Sequence, residues 1–363
     1  AMMCTRAAMV RSLARWTTSG TSRSTTGVPR GVPTRTQLCT TTRGSTSTPL
    51  PGFSATTMMG KAMRHRGRRP LCVSTHASAE GVYDDPRTYE LAFGFREFEK
   101  EAHFMSALSE RMGTGRPMTS LLELGAGPAW HSTATATALP GAVAVAVDNA
   151  APMLARARER VAHAKLTDRV AVVEGDMTSL DATAVIEEAT KMNEDAARGF
   201  DVACVLLGTA AHLTDTDDAI GCLRGINHAL APGGIALLEL EHPYDLFEGQ
   251  LMDAQGDAWD REVDGVKVLV EWGREGDEFD VETHVVKRTV GFNVLDAVSG
   301  EPAPGFTPVN AVVPARVFTA PEIDLLARLA GMRVCGYFGD MDADVPLDDP
   351  DAHNMLVVLK KDA

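Results

Sequence analysis

Five short apolar runs alternating with helical patterns constrain this chain more than any other feature. Ser120–Glu123, Ala142–Asp148, Val170–Glu174, Asp201–Leu207 and Ile235–Glu239 each read as a buried strand. Between them, Ala129–Leu139, Ala151–Ala164, a stretch within Asp181–Met192, and Asp217–Leu230 read as helices. Strands that are apolar throughout need cover on both faces, and helices between successive strands supply it. The expected fold class is therefore α/β. A doubly wound, mostly parallel sheet of seven strands is completed by Met332–Phe338 and Met355–Lys360, with an antiparallel last strand.

Two stretches flank this pattern. Phe95, Phe98, Ala102, Met105 and Leu108 recur at helical spacing, which predicts one amphipathic helix over Phe93–Met112. After the fifth strand the alternation stops. Val266–Trp272, Phe279–Val294 and Ala311–Phe318 read as extended, so residues 245–318 are expected to form a small antiparallel β insertion. Thr319 and Glu322 form a capping-box pattern for one more helix, to about Ala330.

Charge divides the chain. Residues 1–79 hold 12 of the 35 Lys and Arg and no Asp or Glu; the first acid is Glu80. A leader that is Arg-rich, hydroxyl-rich and free of acids matches an organelle transit peptide, with chloroplast the first expectation and mitochondrion the alternative. The other 284 residues carry all 49 acids against 23 basic residues, a net of −26. So acidic a body repels phosphate backbones, which argues against DNA or RNA as partner. No apolar run approaches the roughly 18 residues of a membrane span. Cys204, Cys222 and Cys335 are far apart and suggest neither a disulfide framework nor a zinc site. Asp340, Asp342 and Asp344 fail as a calcium loop, because Val345 stands where glycine is needed. No metal is expected.

The loop after the first strand carries the chemistry. Ligands of an open α/β sheet bind beyond the carboxyl ends of its strands. Glu123 ends the first strand there, and Gly125-Ala126-Gly127 lets backbone approach a ligand closely. Asp148 ends the second strand, where a carboxylate can accept both hydrogen bonds of a ribose diol. At the third strand's edge, Asp176 can accept from an adenine amino group and the Met177 amide can reach a ring nitrogen. Met153 can pack on the base, or serve as an ordinary core methionine. Trp130 stands where a dinucleotide fingerprint needs a small residue beside the pyrophosphate, which argues against NAD or FAD.

ELGAGP, AVDNAAPML, EGDM and LAPGG, in this order and spacing, resemble the class I S-adenosylmethionine-dependent methyltransferases over residues 83–363. The usual third glycine is Ala129 here. The resemblance implies a Rossmann-like sheet, S-adenosyl-L-methionine as cofactor and a small-molecule methyl acceptor. It implies that Glu123, Gly125, Ala126, Gly127, Asp148, Asn149, Met153, Asp176 and Met177 line the cofactor, with Leu207 and Gly208 at its border. The segment YDDPRTYELAFGFREFEKEAHFM resembles the N-terminal lid of small-molecule members. Tyr89 and Arg96 are its candidates, Arg96 for the methionine carboxylate. The methyltransferase domain is then expected over 80–244 and 319–363, with the insertion covering the substrate.

Methyl transfer needs alignment and exclusion of water, and only sometimes a base. The acceptor-side candidates are His212, in GTAAHLTD, with His242 and Tyr244, in ELEHPYDLF. A neutral His242 can act as general base; it can equally cap the turn before Pro243. The strands of the insertion can also pair between subunits, which makes a homodimer an expectation. Two rival readings remain: an NAD(P)-dependent oxidoreductase on a similar sheet, and a non-catalytic adenosine-binding subunit.

Overall fold

Val143–Asp148 is buried at every position, which requires neighbours on both edges and cover on both faces. The computed structural model, which describes residues 81–243, 257–274, 276–350 and 352–361, supplies both. Strands β1 (Ser120–Leu124), β2 (Val143–Asp148), β3 (Val170–Glu174), β4 (Phe200–Val205) and β5 (Leu230–Glu241) run parallel. β11 (Met332–Phe338) and β12 (Asn354–Lys361) complete the sheet, in the order β11-β12-β5-β4-β1-β2-β3. β12 runs antiparallel to both its neighbours. The strand order reverses between β1 and β4, so the loops after those two strands part there, which is where such sheets bind ligands.

Helices α3 (Trp130–Ala138), α4 (Ala151–His163), α5 (Ala182–Met192), α6 (Thr216–Ala229) and α7 (Ala320–Leu329) connect the strands. Two apolar clusters cover the two faces of the sheet. One is built on Leu122, Val145, Phe200, Ile226 and Val357, the other on Leu121, Ala144, Val202, Ile235 and Val358. Small Ala and Val side chains in β2 let helices approach closely. The Thr319–Glu322 capping box is present at the start of α7. β5 begins at Leu230, five residues before the expected start, because Leu230 pairs with Phe200 ahead of a register shift.

The amino-terminal helix is not continuous. The chain forms α1 (Pro86–Phe93), breaks, and resumes as α2 (Phe98–Met112). Asp85 caps α1 by accepting from the Arg87 and Thr88 amides, and Pro86 suits its first turn. Gly94 closes it, its N–H bonding the Glu90 carbonyl. Phe95, which spacing places on the buried stripe, is 40% exposed in the break. The break frees Arg96 from helical direction and turns it toward the main sheet.

The insertion is a second, antiparallel sheet. β6 (Asp257–Val263), β7 (Val266–Trp272), β9 (Val285–Asp296) and β10 (Val309–Arg316) order as β10-β9-β7-β6, with β8 (Phe279–Asp280) on β9. The expected run Phe279–Val294 is thus two strands separated by a turn in which His284 takes a positive φ of 57°. β6, unexpected, pairs with β7 through Asp264-Gly265, both at positive φ, as a two-residue hairpin turn needs. Val82, Ala92, Val270, Val290 and Phe292 form one cluster, so α1 and the residue stretch before it pack on this second sheet. Trp259 Nε1 and Arg261 donate to backbone carbonyls of α1. Among the described residues no helix is long and apolar enough to cross a membrane.

Candidate functional site

The loop after β1 is shaped by left-handed backbone. Gly125 and Gly127 sit at φ +58° and +51°, and Ala129 at +57° just before α3. At Gly125 a Cβ would stand 2.2 Å from Thr209 Cγ2, so this glycine lets the loops after β1 and β4 meet. At Gly127 a Cβ would meet only Met153 Sδ, at 4.0 Å, so that side of the loop is open. Leu207 and Gly208 also take positive φ, 55° and 71°, and turn the β4 loop away from the sheet. A pocket lies between, lined by Tyr89, Glu123, Leu124, Gly125, Ala126, Gly127, Pro128, Trp130, His131, Leu206, Leu207 and Thr209.

Asp148 stands at the carboxyl end of β2. Its two oxygens accept from the Gly127 amide at 2.7 Å and the Ala150 amide at 2.8 Å. Burial pushes its pKa up, and those amides, with that of Asn149, oppose the shift. With three amides on its two oxygens, the carboxylate keeps about one lone pair for a ligand. Asn149 is exposed beside it, and Met153 is buried beneath Gly127. At the end of β3, Asp176 Oδ1 accepts from the Thr178 amide at 2.8 Å, leaving Oδ2 without a partner in this turn. Met177 packs against the core.

Beneath the pocket lies a buried ionic cluster that joins five elements. His131 Nε2 is 2.7 Å from Glu101 Oε2, and its Nδ1 is 3.2 Å from Glu123 Oε1. Ser132 fixes the other Glu123 oxygen through its amide (2.8 Å) and hydroxyl (2.5 Å). Arg96 Nε donates to Glu101 at 2.7 Å, and its Nη1 donates to both Glu239 oxygens at 2.6 and 2.8 Å. Glu239 also accepts from the Leu207 amide at 2.9 Å and from Asn354 Nδ2 at 3.0 Å. Burial alone would lower the His131 pKa, but the two glutamates overcome it and hold it at about 9. Burial would raise Glu101, but His131 and Arg96 bring it down to about 2. Counted by formal charge, three glutamates face Arg96 and the His131 cation, a surplus of one negative charge. Arg96 Nη2 is buried and has no hydrogen-bond partner among the described residues.

Rings of α1 and α2 lie against this floor. Trp130 stacks between Phe98, at 5.0 Å, and Tyr89, at 5.8 Å. The residue that spoke against a pyrophosphate is thus the platform on which the lid rests. Glu90 of α1 pairs with Arg156 and Arg160 of α4. Arg160 also donates to the Pro128 carbonyl at 2.9 Å and lies 5.6 Å over the Trp130 ring.

On the acceptor side the structure pairs His212 with a residue outside the candidate set. The Tyr83 hydroxyl lies 2.6 Å from His212 Nε2. Burial, aided by the nearby Arg288 charge, lowers His212 to about 4, so its ring is neutral at pH 7. Burial, with Tyr89 and Asp148 nearby, raises Tyr83 well above its usual range. Tyr83 is therefore the donor and Nε2 the acceptor. Arg288, on β9, reaches across to Glu241 at the end of β5. His242 is buried and its Nε2 is 2.8 Å from the Leu347 carbonyl, as the donor of that bond, away from the Tyr83–His212 pair. Tyr244 lies outside the described residues. Tyr83 is in the quoted amino-terminal segment; its pairing with His212, 129 residues away, is what sequence could not supply. His131 and Glu101 were likewise absent from the candidates, as they look like ordinary helical residues.

Residues 121–234, from β1 into β5, match the family model of a methyltransferase domain. No curated protein matches the chain. Among solved structures, the fold is similar to that of an S-adenosylmethionine-dependent methyltransferase from Clostridium acetobutylicum. That match has a TM-score of 0.55 at 15% identity and covers 76% of this chain and 96% of that one. A sugar N-methyltransferase from Streptoalloteichus matches with a TM-score of 0.54 at 20% identity, over 87% of this chain and 100% of that one. An amino pentose methyltransferase from Micromonospora echinaspora, solved with S-adenosylmethionine bound, matches with 0.53 at 20% identity, over 76% and 97%.

Proposed function

We propose that this chain, an enzyme that carries a methyltransferase domain, moves a methyl group from S-adenosyl-L-methionine to the nitrogen of a small-molecule amine. The cofactor fits the residues present. Asp148 has a lone pair free for a ribose hydroxyl, Asp176 one oxygen for a base, and Arg96 Nη2 an unused donor for a carboxylate. The surplus negative charge of the cluster suits a ligand with a cationic sulfur. Trp130, stacked against the lid, leaves no cradle for a pyrophosphate, which disfavours NAD(P). When bound, the cofactor supplies an activated methyl group on a positively charged sulfur.

The choice of nitrogen rests on the Tyr83–His212 pair. A hydroxyl must shed its proton as it attacks, which calls for a base matched to the task. His212, held at about 4, is a poor one. A neutral amine already carries its lone pair. It needs only to be aimed, and the Tyr83 oxygen, whose O–H is donated to His212 as a hydrogen bond, can accept an N–H and aim it. α1 packs on the insertion sheet and puts Tyr89 in the pocket wall, an arrangement that would help keep water from competing. A precedent on this fold is the neighbour named a sugar N-methyltransferase.

The test is a screen of amines, alcohols and carboxylic acids with the full chain and methyl-labelled cofactor. Label is expected on amines. Label confined to oxygen overturns the choice of atom. Binding of NAD(P) without binding of S-adenosylhomocysteine overturns the cofactor. Residues 1–79 we read as an address to a plastid, or second to a mitochondrion; a fluorescent reporter fused behind them should enter the organelle. A homodimer through the insertion is our reading of its strands and is checked by sedimentation.

A further inference from the structure

The cluster beneath the pocket is a chain of alternating charge: Glu123, His131, Glu101, Arg96, Glu239. We propose that His131, as an imidazolium, is a positioning residue that couples two recognition points for an α-amino acid group, Glu123 for the ammonium and Arg96 Nη2 for the carboxylate. The inference rests on reading the site as one for S-adenosylmethionine.

The contacts define the coupling. His131 is 1% exposed, and each of its ring nitrogens faces a carboxylate, at 2.7 and 3.2 Å. Only the doubly protonated ring donates to both. Phe98 meets the ring edge-on at 5.0 Å. The titratable groups against the ring are thus Glu101 and Glu123, with Arg96 one contact further. Glu123 is pinned on its other oxygen by Ser132, so its carboxylate is fixed on the pocket wall beside Tyr89. Glu101 is pinned on its other oxygen by Arg96 Nε, which fixes one edge of the guanidinium; Glu239 fixes Nη1. The remaining amino group, Nη2, is buried without a partner among the described residues. The Tyr89 hydroxyl, in the pocket wall beside Glu123, feels the charges of Asp148, Glu123, Arg96 and Glu239.

Removing the imidazolium leaves Glu101 and Glu123 facing each other without the cation that holds them. Glu101 then no longer braces Arg96, and both ends of the arrangement loosen together. The adenosine contacts at Asp148 and Asp176 do not touch this chain and stay as they are. His131 thus separates recognition of the amino acid end from recognition of the nucleoside.

Two ligands expose that separation. Methylthioadenosine carries the nucleoside and thioether of S-adenosylhomocysteine but lacks the amino acid group. Calorimetry on the full chain should show S-adenosylhomocysteine binding the unaltered protein about 100-fold tighter than methylthioadenosine. In His131→Asn the first ligand should lose at least about ten-fold in affinity and the second less than about two-fold. Equal losses for both ligands, or no loss for either, overturn the positioning role. If the unaltered protein binds neither ligand, the cofactor reading falls, and the proposal with it. A measurement without substitution guards against a variant that fails to fold. Nitrogen NMR of the His131 ring in the unaltered protein should show both nitrogens protonated at pH 7.5. A neutral ring there overturns the proposal.

Discussion

The main sheet buries charge at both of its ends, and the two ends use it differently. At the amino end, Asp201 at the start of β4 is fully buried. Its Oδ2 accepts from the Thr119 amide and hydroxyl, both at 2.8 Å, and its Oδ1 accepts from Arg116 at 3.0 Å and Arg198 at 2.7 Å. The two arginines are 34% and 38% exposed, so the surplus there is positive and drains into water. At the carboxyl end, Glu101, Glu123 and Glu239 outnumber Arg96 and His131, and every member is at most 10% exposed. Their surplus is negative, held in low dielectric, and borders a pocket. Burial of a carboxylate therefore says little about its role. What separates a brace from a binding site is whether the charges balance locally and which way the remainder points.

The largest effect expected breaks the amino end alone. Asp201→Ala leaves two guanidinium groups and the Thr119 amide without their acceptor, which costs about 3–5 kcal/mol. Urea unfolding should record that loss, while affinity for S-adenosylhomocysteine in the folded protein stays within about two-fold. A collapse of affinity at unchanged stability would mean that the two ends are one network. A smaller effect comes from pH at the carboxyl end. The folded state raises His131 from 6.5 to about 9, so its contribution to stability is fully present below pH 6.5 and fades as pH rises through about 9. Its full size is on the order of 3 kcal/mol. The comparison to make is urea unfolding of the unaltered protein and of His131→Asn between pH 6 and 10. The difference between the two curves should shrink toward high pH; a difference independent of pH would show that the ring does not titrate in this range.

The same contrast shows what was legible in sequence. The sheet was, because strand and helix periodicities are local and each run of β1 to β5 carries its own pattern. Asp148 was, because an acid at the end of an apolar run occupies the carboxyl edge by construction. The cluster was not. Glu101, Glu123 and His131 lie on three elements, and only packing brings them together. His131, the second residue of α3, looks like any polar residue in a first turn. Arg96 was visible as a basic residue of the lid, but its reach was hidden by spacing that joined α1 and α2 into one helix. Phe95 fits that stripe by count; Gly94 breaks it by its terminal hydrogen bond. Hairpin β6–β7 was legible in the Asp264-Gly265 pair, a turn signal the strand patterns overshadowed.

The acceptor side refines the contrast by a step in rate. Tyr83→Phe removes the oxygen that would aim the nucleophile but keeps the ring that lies 5.8 Å from Tyr89. With the amine that serves as acceptor, kcat should fall about ten-fold, or about 1.4 kcal/mol, at unchanged affinity for S-adenosylhomocysteine. Steady-state kinetics and calorimetry on one preparation read both. A loss confined to cofactor affinity would move Tyr83 from the acceptor to the nucleoside.

The smallest effect concerns a third, outer set of charges that belongs to neither end. Glu90 of α1 is 16% exposed, and its partners Arg160 and Arg156 are 26% and 36% exposed, so water screens what they gain. Such pairs contribute about 1 kcal/mol or less. Yet their position gives them leverage, because Arg160 joins Glu90 to the Pro128 carbonyl and to the Trp130 face at once. Glu90→Gln keeps the shape and removes the charge. It should weaken S-adenosylhomocysteine by about two- to five-fold, chiefly through faster release, since the apolar packing of α1 on the insertion sheet is untouched. Added salt should weaken the unaltered protein toward the variant and leave the variant nearly unaffected. The ligand contacts proposed at the inner cluster would be buried and respond less to salt. Stopped-flow release at low and at high salt therefore tells the latch from the cluster: a variant with the same salt response as the unaltered protein would place the lid's hold in its apolar face.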